Sequence, residues 1–367
     1  MPRPFRRSIL RARGKTFWAG LLRASGMLWL GRKWVQRHGA IVLTFHRVLT
    51  DSELQQTASL GGMIVRRQTF ANFLKYASQN CEFTELRAPG GNADGKLKLS
   101  VTFDDGWFDN AESAYPIASQ YHVPLVIFIV PEKTGSELPF WPERTAAALD
   151  RVPEANHARR TDFIQKSIEE LKDLRVTERE SRINQMLGTD GVIESSAAVD
   201  KTMTWEQIEE LQAGGVTFGS HTSTHEILTR LSAAQAEQEI ACSREAIQQK
   251  LGGACNLFSY PNGNASRQVR DLVAQAGYEF AFLNQKPGVW TRDCDPFLIP
   301  RVNVCEYHLV DSKGNFSPLI FQYAVVWSAA KGLLLQMLSK RDNKSQSDQV
   351  STKAWEPTEE TPVEKSS

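Results

Sequence analysis

The 367-residue chain has little cysteine, almost no net charge and, over its first 38 residues, no acid at all. The five cysteines (Cys81, Cys242, Cys255, Cys294, Cys305) are odd in number, scattered and free of Cys-x-x-Cys spacing. That excludes a disulfide framework or a zinc ribbon and leans toward a reducing compartment. A net charge of +1 gives no footprint for nucleic acid. Long uninterrupted apolar runs are also missing. Arg23 breaks the run from Phe17 to Leu30, no small-residue cleavage site follows it, and the run is too short to span a bilayer. The chain therefore reads as lacking a cleavable signal, with a cytoplasmic or peripheral inner-membrane location expected.

At 41% hydrophobic and 23% charged residues the composition is that of an ordinary globular protein, long enough for one large domain with appendages. Two stretches stand out. In the first, Leu97, Leu99, Val101 and Phe103 alternate with Lys98, Ser100, Thr102 and Asp104, the period of a strand. Asp105 leaves that strand and Gly106 permits a sharp turn. Two adjacent carboxylates are costly to bury, so a metal ion or catalytic work is the economical explanation. In the second, His221 and His225 stand at i and i+4; if His225 opens a helix, both rings share one face. Together the stretches suggest a two-histidine, one-aspartate metal site with positions left for water and substrate.

Thr102-Phe103-Asp104-Asp105-Gly106 and His221-Thr222-Ser223-Thr224-His225 resemble the first two motifs of the polysaccharide deacetylases, the NodB-homology family (carbohydrate esterase family 4). Phe258-Ser259-Tyr260-Pro261-Asn262-Gly263 resembles a variant of the third motif. The resemblance runs from about Gly39 to Val304 and includes Leu43-Thr44-Phe45-His46-Arg47-Val48 and Ala276-Gly277-Tyr278. It implies an α/β fold, a distorted (β/α)7 barrel of the NodB-homology type, with a helical insertion and helical N- and C-terminal appendages.

The chain divides accordingly. Residues 1–38 mix arginine and lysine with tryptophan, phenylalanine and leucine, which suits either a helix in a membrane interface or a helical cap on the barrel. Residues 39–310 form the barrel, with strands expected at Gly39 to Val48, near Phe83 to Leu86, and at Leu97 to Phe103, Pro124 to Val130, Val216 to Phe218, Phe258 to Tyr260, Phe280 to Leu283 and Leu298 to Val304. Helices are expected at Gln68 to Gln79, Asn110 to Tyr121, Thr204 to Gly214, Ala233 to Leu251 and Val269 to Ala276. Residues 136–200 interrupt this rhythm as a charged helical insertion. Residues 311–340 hold an apolar helix whose Gln322 and Lys331 argue for packing over spanning, and 341–367 read as a disordered tail. Gly90 to Lys96 imitates a phosphate loop, but Leu97 replaces the Ser/Thr and a strand follows, so it reads as a surface turn.

The resemblance assigns Asp105, His221 and His225 as ligands of a divalent metal, zinc first, with cobalt, nickel or manganese as alternatives. It assigns Asp104 as general base and the backbone at Asn262, beside Tyr260 and Pro261, as oxyanion partner. Thr222 is expected to fix the histidine loop. Three departures follow. Ser259 stands where the family often has an arginine, Asn262 replaces an aromatic, and Leu298-Ile299-Pro300-Arg301 lacks the histidine that usually supplies the general acid. His46 is the substitute acid, His308 a weaker one, and Arg301 either orients Asp104 or binds substrate. His38, His122 and His157 read as surface or structural. The expected substrate is an N-acetylated glycan. The competing readings are a carbohydrate-binding scaffold with weakened motifs and a hydrolase of another non-peptide C–N bond.

Overall fold

The computed structural model describes residues 9–87, 95–150, 157–187, 199–284 and 287–351. Seven parallel strands curl into a ring: β1 (Gly39–Phe45), β2 (Leu97–Phe103), β3 (Leu125–Ile129), β4 (Thr217–Ser220), β5 (Leu257–Ser259), β6 (Phe280–Phe282) and β7 (Val302–Asn303). Neighbours pair in the order β1-β2-β3-β4-β5-β6. β7 pairs with β1 through Leu43 and Thr44, while Ile299, just upstream, bridges Phe282 of β6. The closing segment thus touches both ends of the sheet, and the result is the distorted seven-stranded (β/α) barrel. The short strand Trp290–Thr291 covers the start of β1 in antiparallel register.

The alternation in β2 separates two cores. Leu97, Leu99, Val101 and Phe103 join the large outer core between sheet and helices. A smaller core fills the barrel itself, built from Val42, Val126, Phe128, Leu257, Phe282, Trp290 and Ile299. Ser100 and Thr102 are buried too, and Thr102 Oγ1 donates to the Leu43 carbonyl at 2.9 Å. Polar positions on a strand enclosed on both sides thus point into a barrel.

Several elements differ from expectation. The strand expected near Phe83 to Leu86 lies at Cys81–Phe83. The helix after the Asp-Asp strand opens with a π-turn, Asn110–Ala114, before Tyr115–Gln120. The strand expected from Leu298 reduces to a bridge at Ile299 and a ladder at Val302–Asn303, because Pro300 has no N–H to donate. The strand expected at Gly39 to Val48 breaks at His46, and Arg47–Leu49 pairs instead with Ile64–Arg66 in a separate two-stranded sheet, whose second strand has no counterpart in the sequence reading. The phosphate-loop mimic falls mainly on residues 88–94, outside the described residues; Lys96 donates to the Gln79 carbonyl instead.

The described part of the insertion is three helices, Trp141–Asp150, His157–Lys172 and Val176–Leu187, with a core of their own around Trp141, Ile164, Ile168, Leu171 and Ile183. Helices Ile9–Ala24 and Met27–His38 precede β1. The C-terminal apolar segment Pro318–Ser339 packs Phe321 against Phe73 and Tyr76 of the barrel's outer layer. By length and composition alone it could cross a membrane. The last helix runs to Ser351, beyond the boundary at which the sequence suggests a disordered tail; residues 352–367 lie outside the described residues.

Candidate active site

The C-terminal ends of β1, β2, β4 and β5 converge on one point, where a β/α barrel carries its chemistry. β2 ends at Phe103, so Asp104 and Asp105 emerge there, both buried. Asp105 has φ 76°, a left-handed conformation that is strained for a side chain other than glycine. Thr222, His225 and Asn262 share that conformation, with φ of 66°, 71° and 56°. Four of the five such non-glycine residues among the described ones therefore sit on motifs of this site, the clustering expected where structure is held for function.

The histidines do not lie on a helix. Residues 221–227 form a loop, because Glu239 of the helix Ala233–Leu251 captures its backbone. The Glu239 carboxylate accepts from Ser223 N and Thr224 N, each at 2.9 Å, and from Thr224 Oγ1 at 2.7 Å. Thr222 Oγ1 accepts from His225 N at 3.0 Å, the loop-fixing role expected of it. The two imidazole centroids end 4.9 Å apart. His221 is aimed from behind, with Nδ1 2.8 Å from the Ser259 carbonyl. A carbonyl only accepts, so Nδ1 carries a hydrogen, and Nε2 is turned toward Asp105.

Asp105 Oδ1 lies 3.5 Å from His221 Nε2 and 3.2 Å from His225 Nε2. Its other oxygen accepts from Trp107 Nε1 at 2.9 Å. Burial opposes ionisation of Asp105, but hydrogen bonds from His221 and His225 outweigh it and hold the carboxyl well below its ordinary value. Three donor atoms, one from each residue, lie within 4.8 Å of one another. Metal–ligand bonds of about 2.0–2.1 Å at a tetrahedral angle give ligand–ligand edges of about 3.3 Å. The donor set and its spacing fit a divalent cation.

Asp104 is held differently. Arg301 grips it bidentately, Nη1 to Oδ1 at 2.8 Å and Nη2 to Oδ2 at 2.6 Å. Ser259 Oγ accepts from Arg301 Nη2 at 2.7 Å and donates to Asp104 Oδ2 at 3.2 Å. Burial again disfavours the charge; Arg301 and then His221 overcome it, so Asp104 lies below the usual carboxylate range. Arg301 Nε donates to the Leu283 carbonyl and Nη1 also to Thr102 Oγ1, and the guanidinium lies over Phe128. With its nitrogens occupied and its side chain fully buried, Arg301 has the geometry of the first role expected of it, orienting Asp104, and presents no exposed nitrogen for the second, substrate binding.

His46 follows β1 and is half-buried at the site. Burial lowers its pKa despite the opposing pull of Asp105 and Asp104, and its Nδ1 has no hydrogen-bond partner. His308 caps the turn at Cys305 and is spent there. Asn262 is exposed in the turn Pro261–Gly263. Tyr260 departs from expectation: it is fully buried, its hydroxyl donates to the Phe297 carbonyl at 2.9 Å, and its ring packs on Phe258. Its side chain, with buried Pro261, supports the turn and leaves no substrate group.

Sequence reasoning missed a second layer. Arg47, adjacent to His46, is fully buried over the Trp107 ring at 4.2 Å. It donates to Asp109 at 2.6 Å and to Asp200, at the end of the insertion, at 2.8 Å. Ser59 accepts from Arg47 Nη1 and donates to Glu143. Burial, with Asp200 and Asp105 nearby, pushes the Glu143 carboxyl up to about 8. Phe140 stands edge-on to both His225 and Trp107. The insertion therefore forms a wall of the site. The local signal was Arg47 directly after an apolar strand, where an unpaired arginine would be untenable.

The polysaccharide deacetylase profile matches residues 91–281, more than half of the chain. The chain belongs to the polysaccharide deacetylase family. A curated family relative is YxkH of Bacillus subtilis (strain 168), described as a polysaccharide deacetylase and 21% identical over 204 residues. The match covers 56% of this chain and 50% of the relative, so the chain spans about half the length of the curated relative it matches. Among solved structures, Streptococcus pyogenes deacetylase PplD in complex with acetate is similar at 15% identity. That match covers 76% of this chain and 99% of that one, with a TM-score of 0.49. IcaB from Ammonifex degensii is similar at 18% identity over 79% of this chain and 97% of that one, also at 0.49. In this member of the family, the serine in the third motif and the arginine near the end of the barrel meet on one carboxylate, that of Asp104.

Proposed function

We propose that the protein is a metal-dependent hydrolase that removes N-acetyl groups from N-acetylglucosamine-type residues of a polysaccharide, a chitooligosaccharide or a lipid-linked glycan. The observation that carries this reading is the pair of unlike carboxylates: Asp105 turned toward two histidines, and Asp104 kept ionised by Arg301 and Ser259. A binding scaffold has no need of the second.

A divalent cation, zinc in first place, would be held by Asp105, His221 and His225 and supply Lewis acidity toward the amide carbonyl and the attacking water. Asp104, kept charged by Arg301, takes the proton from that water. The backbone at Asn262 donates to the carbonyl oxygen as charge builds there, a role worth about 2.7–4 kcal/mol per donor. The amine nitrogen needs a proton before the C–N bond breaks. His46 delivers it: burial keeps the resting ring neutral, so the ring receives the proton that Asp104 took from the water and passes it to the amine as the C–N bond breaks. That none of the described cysteines is in a disulfide supports a reducing, cytoplasmic-side location.

The test is acetate release from N-acetylglucosamine oligomers of graded length, after chelation and with zinc or cobalt restored. The expected result is metal-dependent release, longer oligomers preferred, that disappears in Asp104→Asn and collapses in His46→Ala. Full turnover in a folded His46→Ala protein would remove His46 from the mechanism. No release from any oligomer or lipid-linked sugar, with metal bound and the barrel folded, would overturn the hydrolase in favour of a binding role.

A further inference from the structure

We propose that the outward faces of helices Ile9–Ala24, Met27–His38 and Pro318–Ser339 form one docking surface for an anionic phospholipid bilayer. Exposed large hydrophobic side chains are not spread over this protein. Among the described residues, nine of the twelve lie on these three segments, from the two ends of the chain. Single exposed leucines need no explanation; a concentration of this kind does.

Each segment is amphipathic in the inverted sense. On Ile9–Ala24, Lys15 and Ala19 face inward and are buried, whereas Phe17, Trp18 and Leu21 occupy the opposite arc and are exposed. On Met27–His38, Leu28, Gly31 and Val35 face inward, and Trp29 and Leu30 point out beside Lys33 and Arg37. On Pro318–Ser339, Ile320, Phe321, Val325 and Ala329 are buried, while Leu334, Leu335 and Leu338 are exposed. The inner faces are committed. Lys15 Nζ donates to the Val310 carbonyl at 2.8 Å, and Gly31 admits the Trp327 ring so closely that a methyl group there would lie 2.7 Å from it. A shared groove joins the second and third segments, with Leu30, Trp34, Trp327 and Leu334 among its lining residues.

Charge selects the occupant. Residues 1–38 and 318–339 contain no aspartate or glutamate. Lys33, Arg37 and Lys331 line the groove itself. A second copy docking here would set cations against cations, which is disfavoured. An anionic headgroup layer matches both the cations and the exposed tryptophans, which favour the membrane–water boundary. The last segment meets the length and hydropathy for crossing a bilayer, yet its inner face is packed on the barrel. Its outer leucines then enter the interface with the helix lying along the surface.

The experiment is sedimentation of the full chain with vesicles of phosphatidylcholine alone and of phosphatidylcholine containing phosphatidylglycerol, at low and high salt. The expected result is at least tenfold stronger partitioning onto the anionic vesicles, weakened by salt. The exposed-site triple variant Trp18→Glu, Leu30→Glu, Leu335→Glu is expected to lose at least tenfold in partitioning while its thermal melt stays that of the parent. Equal partitioning of parent and variant, or no preference between vesicles, overturns the proposal. A lipid-free dimer in sedimentation velocity that the triple variant abolishes overturns it in favour of self-association.

Discussion

Replacing Arg301 by glutamine removes the charge that holds Asp104 while keeping a side chain of similar reach. Arg301 and Asp104 are both buried and share two hydrogen bonds, with a third path through Ser259 Oγ. Deleting one member of such a pair typically costs about 3–5 kcal/mol, because the partner is left buried and charged. The sign with pH is defined. In the parent, Asp104 lies below 3.8, so its contribution to stability is full above the unfolded value and drains away only as the pH falls through the folded one. In Arg301→Gln, burial goes largely unopposed and raises the carboxyl, so the variant regains stability as acid protonates Asp104. Turnover falls toward the loss of a general base, about 10²–10⁴-fold, with the acid limb of the pH–rate curve moved upward. Urea unfolding across pH and acetate release read both effects. The double variant Arg301→Met, Asp104→Asn, which removes both charges, is expected to be more stable at neutral pH than Arg301→Gln. A parental pH–rate curve in Arg301→Gln, or a double variant as unstable as the single one, would refute this account of the pair.

Two further outcomes follow from the layer behind the site. Glu143 keeps its proton in the folded protein up to about 8 but loses it near 4.5 when unfolded, so stability falls between those values as pH rises. Glu143→Gln flattens that dependence and adds on the order of 3 kcal/mol at neutral pH; urea midpoints that slope with pH as in the parent would contradict it. Trp107→Phe deletes the donor to Asp105 Oδ2 and leaves the ring packing nearly intact. Metal affinity in a competitive zinc titration is expected to weaken about 10–100-fold, and an unchanged affinity would show that Trp107 orients nothing.

The residues legible in the sequence were those whose role is written within a few positions. Asp104 and Asp105 end a strand with an evident period, and His221 and His225 lie in one short loop. The helix Ala233–Leu251 matches to the residue because Ser232 and Gln235 form a capping box and left-handed Gly252 stops it. What was not legible depends on ring closure. Arg301 and Ser259 are 42 positions apart and meet only because β5 and the closing segment converge on Asp104. The helix anticipated at His225 failed for a related reason, since a carboxylate from a later helix, Glu239, took the loop's N–H groups. Arg47 and Asp200 are 153 positions apart, and nothing local to either announces the other.

Closure of the ring also sets an order in time. The strand β2, which leads into Asp104 and Asp105, leaves the ribosome some two hundred residues before Arg301, the residue that holds the Asp104 charge. Until the segment Ile299–Asn303 bridges β6 and β1, Asp104 lacks the guanidinium that does most to hold its charge in a buried place. A nascent or partly opened chain thus carries the Asp-Asp and His-x-x-x-His motifs intact but without the arginine that Asp104 is paired with in the closed ring. The segment made last completes the surroundings of the first motif, which are whole only once the barrel is closed.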